Sequence, residues 1–368
     1  MRVKLALSTL CENPERPTGL STLFPEFVAQ ARRLFPDVSW VVFAGAGAPW
    51  GVRDPQVEVV RTFSSNERPL ARLMADHLRV APEAERRGCA ALLTVGFHPL
   101  KDAGLPVAMH VFSVGHMQAG AGARAAYRTW AVERGLERAA VVIVNSEWTR
   151  SRLPKGRAPV VVSPEGIDHT VFRPGGPAGA PGVAGRYLLW VSNLYPYKRI
   201  ELALAAYAGL PPGTRRMFPF MVAGGDWDGG LAKARDAAGR LGISEDVKFL
   251  GRVEDALLPA LYRGAQAHIL STSEETFGRT ALEAMACGCP NVLQDLAVLR
   301  EVAAGTAQYV DFGVAAAATA VLAQVCADES RQVQLTQAGI ARAAGFSFER
   351  LARERVGAVF AAIGKDGS

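Results

Sequence analysis

The sequence predicts an α/β protein built from two doubly wound domains that face each other across a cleft. Short apolar runs alternate with helical stretches along the whole chain, which is the pattern of parallel sheets with helical crossovers. A stretch of proline, glycine and alanine over residues 173–185 interrupts this pattern near the middle of the chain. At 368 residues the chain has the length of two ordinary domains.

The predicted strands are short β-rich runs, and several of them are continuous runs of valine, isoleucine, leucine and alanine. Such unbroken apolar runs are typical of strands that are buried on both faces of a parallel sheet. Before the proline and glycine stretch they occupy residues 3–8, 39–44, 57–61, 90–95, 107–112, 140–145 and 160–162. After it they occupy residues 187–192, 218–224, 247–250, 267–270, 291–293 and 308–310. The last segment, 348–363, has helical periodicity.

These observations divide the chain into an N-terminal domain at residues 1–173, a linker at 174–185 and a C-terminal domain at 186–345. The linker has almost no residue that could contribute to a core. Residues 346–368 are expected to pack back on the N-terminal domain. Ligands of open α/β sheets bind at the carboxyl ends of the strands, so the cleft is the expected site.

The composition is that of a globular protein, with 49% hydrophobic and 21% charged residues. No apolar run approaches the roughly 18 residues of a membrane span. The first residues lack the apolar core and cleavage site of a signal peptide, so we expect none. Five scattered cysteines without a CxxC motif or metal-ligand spacing favour a reduced, cytoplasmic protein without structural zinc.

The net charge of +6 lies entirely within residues 1–175. This basic half could steer an anionic acceptor or favour peripheral contact with the acidic inner face of a membrane. An arginine-rich solvated surface would give the same count, and both interpretations stay open. The arginines do not interleave with aromatic residues, so the sequence does not indicate nucleic-acid binding.

The segment over residues 271–290 carries the most chemical information. A predicted strand leads into a polar loop with Glu275, and a predicted helix begins near Arg279 and ends near Cys287. A helix N-terminus can hold a phosphate, and Gly278 lets the backbone approach it closely. Glu275 and Glu283 could then bind hydroxyls at opposite ends of a sugar–diphosphate–nucleoside. Each glutamate taken alone could equally be a solvated loop or helix-surface residue.

This segment, Glu275-Thr-Phe-Gly-Arg-Thr-Ala-Leu-Glu283, resembles the two-glutamate motif of the retaining GT-B glycosyltransferases of family 4. The resemblance extends to the basic loop over residues 188–199 and to a loop over 247–253. In the first half, residues 142–149 and 164–174 resemble the segments before the family's interdomain linker. The motifs in this order are specific for the family, but not for the sugar or the acceptor.

The resemblance implies a role for individual side chains. Glu283 would bind the ribose hydroxyls, Glu275 the transferred sugar and Lys198 the diphosphate. Gly251 and Val253 would lie near the base. In full, the implied donor-binding residues are Gly19, Asn193, Lys198, Gly251, Val253, Glu275, Phe277, Gly278, Arg279, Thr280 and Glu283, and the implied catalytic residues are His110, Lys198 and Glu275.

Two positions depart from the family pattern or match it only in part. The family usually has Gly-Arg where this chain has Ser192-Asn193, so one cationic contact to the diphosphate is missing, which Arg279 or Arg199 could replace. The family's glycine loop after the first strand often has two glycines, and here only Gly19 is present.

The family also has a histidine near the sugar, after a middle strand of the first domain. His110 is the preferred candidate here, and His116 and His98 are the alternatives. His110 could also be an ordinary core histidine.

Two other motifs are interpreted as turns. Asp226-Trp227-Asp228 matches a metal-binding DxD pattern, but it lies in a glycine-rich turn and the resembled family does not use it, so we expect no metal. The glycines over residues 45–51 are misplaced for a dinucleotide fingerprint.

The expected activity is metal-independent transfer of a sugar, with retention, from a GDP- or UDP-linked donor to an acceptor hydroxyl. The acceptor could be a glycan, a lipid-linked sugar or a small molecule. The alternatives are a sugar-nucleotide 2-epimerase of the same architecture and a catalytically weak sugar-nucleotide-binding protein. No cofactor beyond the nucleotide sugar is expected.

Overall fold

The computed structural model describes residues 3–12, 19–45, 47, 48, 50, 54–62, 68–114, 122–180 and 182–364. Contacts within the chain group it into two units. The first unit contains Met1–Gly166 and Ser347–Ser368, and the second contains Ile167–Phe346. Among the helices of the described residues, none has the length and apolar character needed to cross a membrane.

The first unit is built on a seven-stranded parallel sheet in the order β3-β2-β1-β4-β5-β6-β7. Its strands are β1 (Val3–Ser8), β2 (Val38–Gly45), β3 (Val57–Thr62), β4 (Ala91–Val95), β5 (Val107–Val111), β6 (Val141–Val144) and β7 (Val160–Val162). Its helices are α1 (Gly19–Leu34), α2 (Pro69–Leu78), α3 (Val80–Arg86), α4 (Ala123–Arg138), α5 (Glu147–Ser151) and α14 (Phe348–Ala362). Strands are added outward from β1 in both directions, as in a doubly wound sheet.

The second unit repeats this plan with a six-stranded parallel sheet in the order β10-β9-β8-β11-β12-β13. Its strands are β8 (Tyr187–Val191), β9 (Phe220–Ala223), β10 (Val247–Gly251), β11 (Ala265–Leu270), β12 (Asn291–Gln294) and β13 (Ala307–Val310). Its helices are α6 (Ile200–Ala208), α7 (Pro212–Met217), α8 (Gly230–Arg240), α9 (Leu258–Gly264), α10 (Arg279–Ala286), α11 (Ala297–Ala303), α12 (Ala315–Ala327) and α13 (Glu329–Ala343), with 3-10 turns at Pro196–Lys198, Ser244–Asp246 and Ala304–Thr306.

The prediction of two doubly wound α/β units is confirmed, and the end of each predicted strand lies within two residues of the observed end. The reason is visible in β1, whose two faces are both buried. Leu5 and Leu7 contribute to one core, and Ala6 contributes to a second core with Ala81 and Ala84 of α3. A strand that is buried on both faces needs apolar residues at consecutive positions, so it can be predicted from the sequence.

The composition of the proline and glycine stretch predicts a linker between the units. In the structure this stretch instead belongs to the second unit. Its backbone is anchored on α9: Gly179 N–H donates to the carbonyl oxygen of Ala260 at 2.9 Å, and Arg263 Nε donates to that of Pro177 at 2.5 Å. Ala180 is buried in a core of the second unit. The chain instead changes unit after Gly166. Small residues here allow close packing on a helix, which composition alone does not distinguish from a hinge.

The last helix, α14, packs against α1 in the first unit. Leu351, Val356 and Val359 of α14 share a core with residues of β1 and α1. Gly166 lies against the start of this helix. A Cβ atom at Gly166 would lie 2.6 Å from the backbone nitrogen of Phe348 and 2.8 Å from its Cα. The start of α14 therefore packs so closely against the backbone at residue 166 that only glycine fits there.

Gly166→Ala is expected to destabilise the first unit by about 1–3 kcal/mol, because the added methyl group collides with backbone that cannot rotate away. Thermal unfolding followed by calorimetry measures the change. Gly213→Ala is the matched control, since nothing lies within 4 Å of a Cβ atom there. Equal melting temperatures for Gly166→Ala and the parent protein would contradict the prediction.

Candidate functional site

Most of the predicted donor-binding residues lie at the carboxyl ends of strands in the second unit. The loop after β8 carries Asn193 and the 3-10 turn with Lys198. The loop after β11 carries Glu275 and leads into α10. Both strands are paired neighbours in the sheet, so their loops lie side by side. This is the edge at which parallel α/β sheets bind ligands.

Hydroxyl groups that follow β11 hold the turn that carries Lys198. Ser271 Oγ donates to the carbonyl oxygen of Lys198 at 3.2 Å. Ser273 donates to the carbonyl oxygen of Tyr197 through both its backbone N–H, at 2.8 Å, and its Oγ, at 3.0 Å. These bonds attach one loop to the other through backbone atoms. The two serines were not among the predicted site residues. Their partners are backbone carbonyl groups far away in the chain, and such contacts cannot be predicted from sequence patterns.

Lys198 and Glu275 form an ion pair, with 2.5 Å between Lys198 Nζ and Glu275 Oε2. The two side chains are 12% and 14% exposed, so water screens the pair only in part. The other carboxylate oxygen of Glu275 accepts a hydrogen bond from the backbone N–H of Gly278 at 3.2 Å. The ammonium group, the carboxylate and the start of α10 are therefore connected in one chain of contacts.

Gly278 precedes the first residue of α10 and has a left-handed backbone, with φ of 91°. A Cβ atom there would lie 2.5 Å from Leu299 Cδ2. The left-handed conformation therefore favours glycine, and a Cβ atom would also displace the Leu299 side chain. Phe277 beside it is buried edge-on against the ring of Phe346. Thr280 follows in the first turn of α10, where backbone N–H groups lack partners within the helix and attract anions.

Glu283 lies one turn further along α10 and is buried, with 7% of its surface exposed. Tyr262 of α9 donates its hydroxyl hydrogen to Oε2 at 3.1 Å, and Arg279 Nε donates to Oε1 at 3.2 Å. Burial raises the pKa of Glu283, and Arg279 and Tyr262 offset part of that rise. Tyr262 was not predicted from the sequence, since its contact depends on how α9 packs against α10.

The predicted base-side residues lie at the end of β10. Gly251 has φ of 67°, and no atom lies within 4 Å of a Cβ atom built on it. Val253 is half-buried against the same apolar core that contains Tyr262. Val253 therefore packs on the same core that contains the tyrosine bonded to Glu283.

Asn193 occupies the position where the resembled family usually has arginine. Its Oδ1 accepts a hydrogen bond from the backbone N–H of Gly225 at 3.1 Å, so it holds the loop after β9. Of the two arginines suggested as replacements, Arg199 pairs with Glu201 and Arg279 pairs with Glu283. Arg279 is the one that lies at the start of α10, beside the predicted phosphate position.

The Asp226-Trp227-Asp228 motif is part of a turn that starts α8. Asp226 Oδ1 accepts a hydrogen bond from the backbone N–H of Leu231 at 2.9 Å, and Asp228 has φ of 50°. Within the described residues, no three side chains of histidine, cysteine, aspartate or glutamate are grouped so that they could hold a metal ion.

The remaining predicted residues lie in the first unit. Gly19 is the exposed first residue of α1. His110 on β5 is buried between Phe24 and Phe112, with ring centroids 6.3 Å and 5.8 Å away. Neither ring nitrogen has a hydrogen-bond partner among the described residues, and burial, with the nearby charge of Arg355, lowers the pKa of His110 well below its ordinary value. A neutral core histidine fits this position, and its catalytic role stays a prediction.

Of the two alternative histidines, one lies within the described residues. His98 is buried, and its Nδ1 lies 3.0 Å from the carbonyl oxygen of Pro99. His116 lies outside the described residues.

Comparison with known proteins finds a family match within the second unit. Residues 182–342 match the family model described as glycosyl transferases group 1. The chain is 29% identical over 247 residues to the O-antigen chain mannosyltransferase B of Escherichia coli, a match that covers 64% of each chain. It is 37% identical over 142 residues to a D-inositol 3-phosphate glycosyltransferase of Saccharomonospora viridis, covering 36% of this chain and 33% of that protein. The chain thus spans less than two thirds of the length of these relatives.

Solved structures show the same fold over nearly the whole chain. Sucrose-phosphate synthase from Thermosynechococcus elongatus matches 99% of both chains with a TM-score of 0.78 and 19% identity. Anabaena HepE in complex with UDP and glucose matches 98% of this chain and 100% of that chain, with a TM-score of 0.73 and 17% identity. The two parallel-sheet units therefore have the GT-B fold, and residues 182–342 of the second unit are similar to the glycosyl transferases group 1 family.

Proposed function

We propose that the protein is a retaining glycosyltransferase that moves a sugar from a nucleotide diphosphate sugar to an acceptor hydroxyl. The observation that carries this proposal is the connected chain of Lys198, Glu275 and the start of α10. It places a cation and a helix N-terminus together at the carboxyl edge of the second sheet. A diphosphate needs both kinds of partner.

The arrangement suits a leaving diphosphate. As the bond between sugar and phosphate breaks, negative charge grows on the phosphate oxygens. Lys198 and the N-terminus of α10 would stabilise that charge, and Glu275 would hold hydroxyls of the transferred sugar. Glu283, oriented by Tyr262, would accept hydrogen bonds from the ribose. The protein's contribution is then orientation and charge stabilisation in a site already assembled.

The finer assignments belong to the same proposal. The donor is GDP- or UDP-linked, since the E. coli relative is named a mannosyltransferase and HepE binds UDP and glucose. Lys198 and the helix N-terminus can supply the positive charge that a divalent metal supplies in other transferases, so we expect activity in the presence of EDTA. The acceptor carries a hydroxyl group, and the reaction takes place in the cytoplasm. A role of His110 and Gly19 in binding the donor is also proposed, although His110 is buried beside Phe24 and Phe112.

Incubation of the purified protein with GDP-mannose or UDP-glucose, with EDTA, tests the proposal directly. Nuclear magnetic resonance of the product gives the anomeric configuration, and retention is expected. Conversion of the donor to its 2-epimer without an acceptor would instead support the epimerase alternative. Binding of nucleotide without transfer or hydrolysis across a panel of acceptors would support the binding-protein alternative.

Lys198→Ala is expected to lower kcat by about 100- to 1,000-fold, or about 3–4 kcal/mol, because it removes a charge that acts on the leaving phosphate. Steady-state kinetics with saturating donor measure the effect. Lys248→Ala is the control, since Lys248 is exposed on β10 and no contact links it to this chain of residues. A Lys198→Ala enzyme with turnover close to the parent would contradict the assigned role.

Glu283→Gln is expected to weaken nucleotide binding by at least tenfold, since a carboxylate accepts hydrogen bonds more strongly than an amide. Tyr262→Phe should weaken binding by about fivefold, because only the orientation of Glu283 is lost. Calorimetric titration with UDP and GDP measures both changes. Tyr309→Phe, on β13, is the control for loss of a tyrosine hydroxyl. Unchanged nucleotide affinity in Glu283→Gln would argue against the ribose contact.

A further inference from the structure

One side of the first unit carries a continuous set of exposed apolar side chains. They lie on α2, on the loop after β4 and on α4, and we call them the apolar face: Leu70, Met74, Leu78, Leu100 and Trp130. The three residues from α2 are spaced four apart, so they form one stripe along the helix. They are 78%, 56% and 45% exposed. A helix surface of this kind is normally covered, so it indicates an interaction site.

Contacts through His77 join the three elements into one face. The carbonyl oxygen of His77 accepts a hydrogen bond from the backbone N–H of Lys101 at 2.9 Å, which brings Leu100 next to the end of α2. The ring of His77 lies 5.9 Å from that of Trp130, centroid to centroid. These contacts place Leu100 and Trp130 beside the carboxyl-terminal end of α2.

The rim of the apolar face along α2 is basic, whereas Glu133 is exposed near Trp130 on α4 and Asp102 is half-buried beside Lys101. Arg68 and Arg79 flank α2 and are exposed, and Lys101 is exposed beside Leu100. The acidic residue within residues 68–79 is Asp76, and it is buried, where it accepts hydrogen bonds from Arg72 and Ser8. Its charge is therefore neutralised beneath the surface. An apolar stripe with a basic rim matches the boundary between the headgroups and acyl chains of an anionic bilayer.

The apolar face also borders the carboxyl edge of the first sheet. Ser8, the last residue of β1, donates its hydroxyl hydrogen to Asp76 Oδ1 at 2.9 Å, which fixes α2 beside that edge. Ligands of parallel α/β sheets bind at such edges. A molecule held there would lie close to whatever surface covers α2.

We infer that the apolar face docks on an anionic lipid bilayer and that the sugar acceptor is linked to a lipid in that bilayer. The exposed apolar face and its basic rim support the docking. The assignment of the acceptor rests on the proposed transferase function. A second copy of the chain fits this face less well, because a symmetric dimer would bring the two basic rims together.

Sedimentation with sucrose-loaded vesicles tests the docking without any nucleotide or acceptor. Vesicles of phosphatidylcholine with one third phosphatidylglycerol should bind the protein at least tenfold more tightly than pure phosphatidylcholine vesicles. The double variant Leu70→Glu/Met74→Glu should lose at least tenfold in binding to the anionic vesicles. Replacing Arg68 and Arg79 with glutamine should reduce binding and its dependence on salt.

Met217→Glu/Val333→Glu is the matched control, because these two residues are similarly exposed apolar side chains in the second unit. It should bind anionic vesicles as the parent does. Circular dichroism and melting temperature show that each variant is folded. Equal vesicle binding by the parent and the Leu70→Glu/Met74→Glu variant would overturn the proposal. A concentration-dependent dimer that this variant abolishes, seen by light scattering, would overturn it in favour of self-association.

A lipid-linked acceptor is tested separately from docking. If the acceptor assignment holds, polyprenyl-linked sugar in anionic vesicles should accept label from the donor at least tenfold faster than the same sugar without its lipid. Equal rates would overturn the lipid assignment. Donor hydrolysis without vesicles reports on the transferase function alone, so failure of docking and failure of the proposed function give different results.

Discussion

The contact between Lys198 and Glu275 depends on bringing two loops from neighbouring strands within a few ångströms of each other. A partly buried ion pair loses hydration, and it is favourable only when its remaining polar atoms also have partners. Here the second oxygen of Glu275 accepts a hydrogen bond from Gly278, and hydroxyl groups of the loop after β11 hold the backbone beside Lys198. The pair is thus held in place by the sheet and by a helix start, which is the preorganisation that stabilising a leaving anion requires.

The second unit places its acidic residues in two different surroundings. Glu275 is bound to a cation and a backbone N–H, and Glu283 is buried against a tyrosine and an arginine. Burial raises the pKa of Glu283, and its two hydrogen-bond donors counter that effect. The two carboxylates therefore lie at separate positions with the start of α10 between them. The spacing in the sequence is a consequence of this geometry, because eight residues cover one loop and one helical turn.

Much of this architecture could be predicted because burial on both faces imposes a strong pattern. Strands such as β6, β8 and β9 consist of consecutive apolar residues, and α10 begins after a glycine and ends shortly before another. What could not be predicted depends on distant partners. The bonds of Ser271 and Ser273 to carbonyl groups near Lys198, and that of Tyr262 to Glu283, join residues far apart in the chain. The stretch over 173–185 has the composition of a hinge, but its backbone groups find partners on α9.

The return of α14 to the first unit has a consequence for how the chain is made. The core of that unit includes Leu351 and Val356, which are synthesised after every residue of the second unit. On the ribosome, the second unit has all of its strands while the surface of α1 still lacks its covering helix. Completion of the first unit is therefore the later event, and chaperones that shield apolar surface would act on the amino-terminal part of the nascent chain.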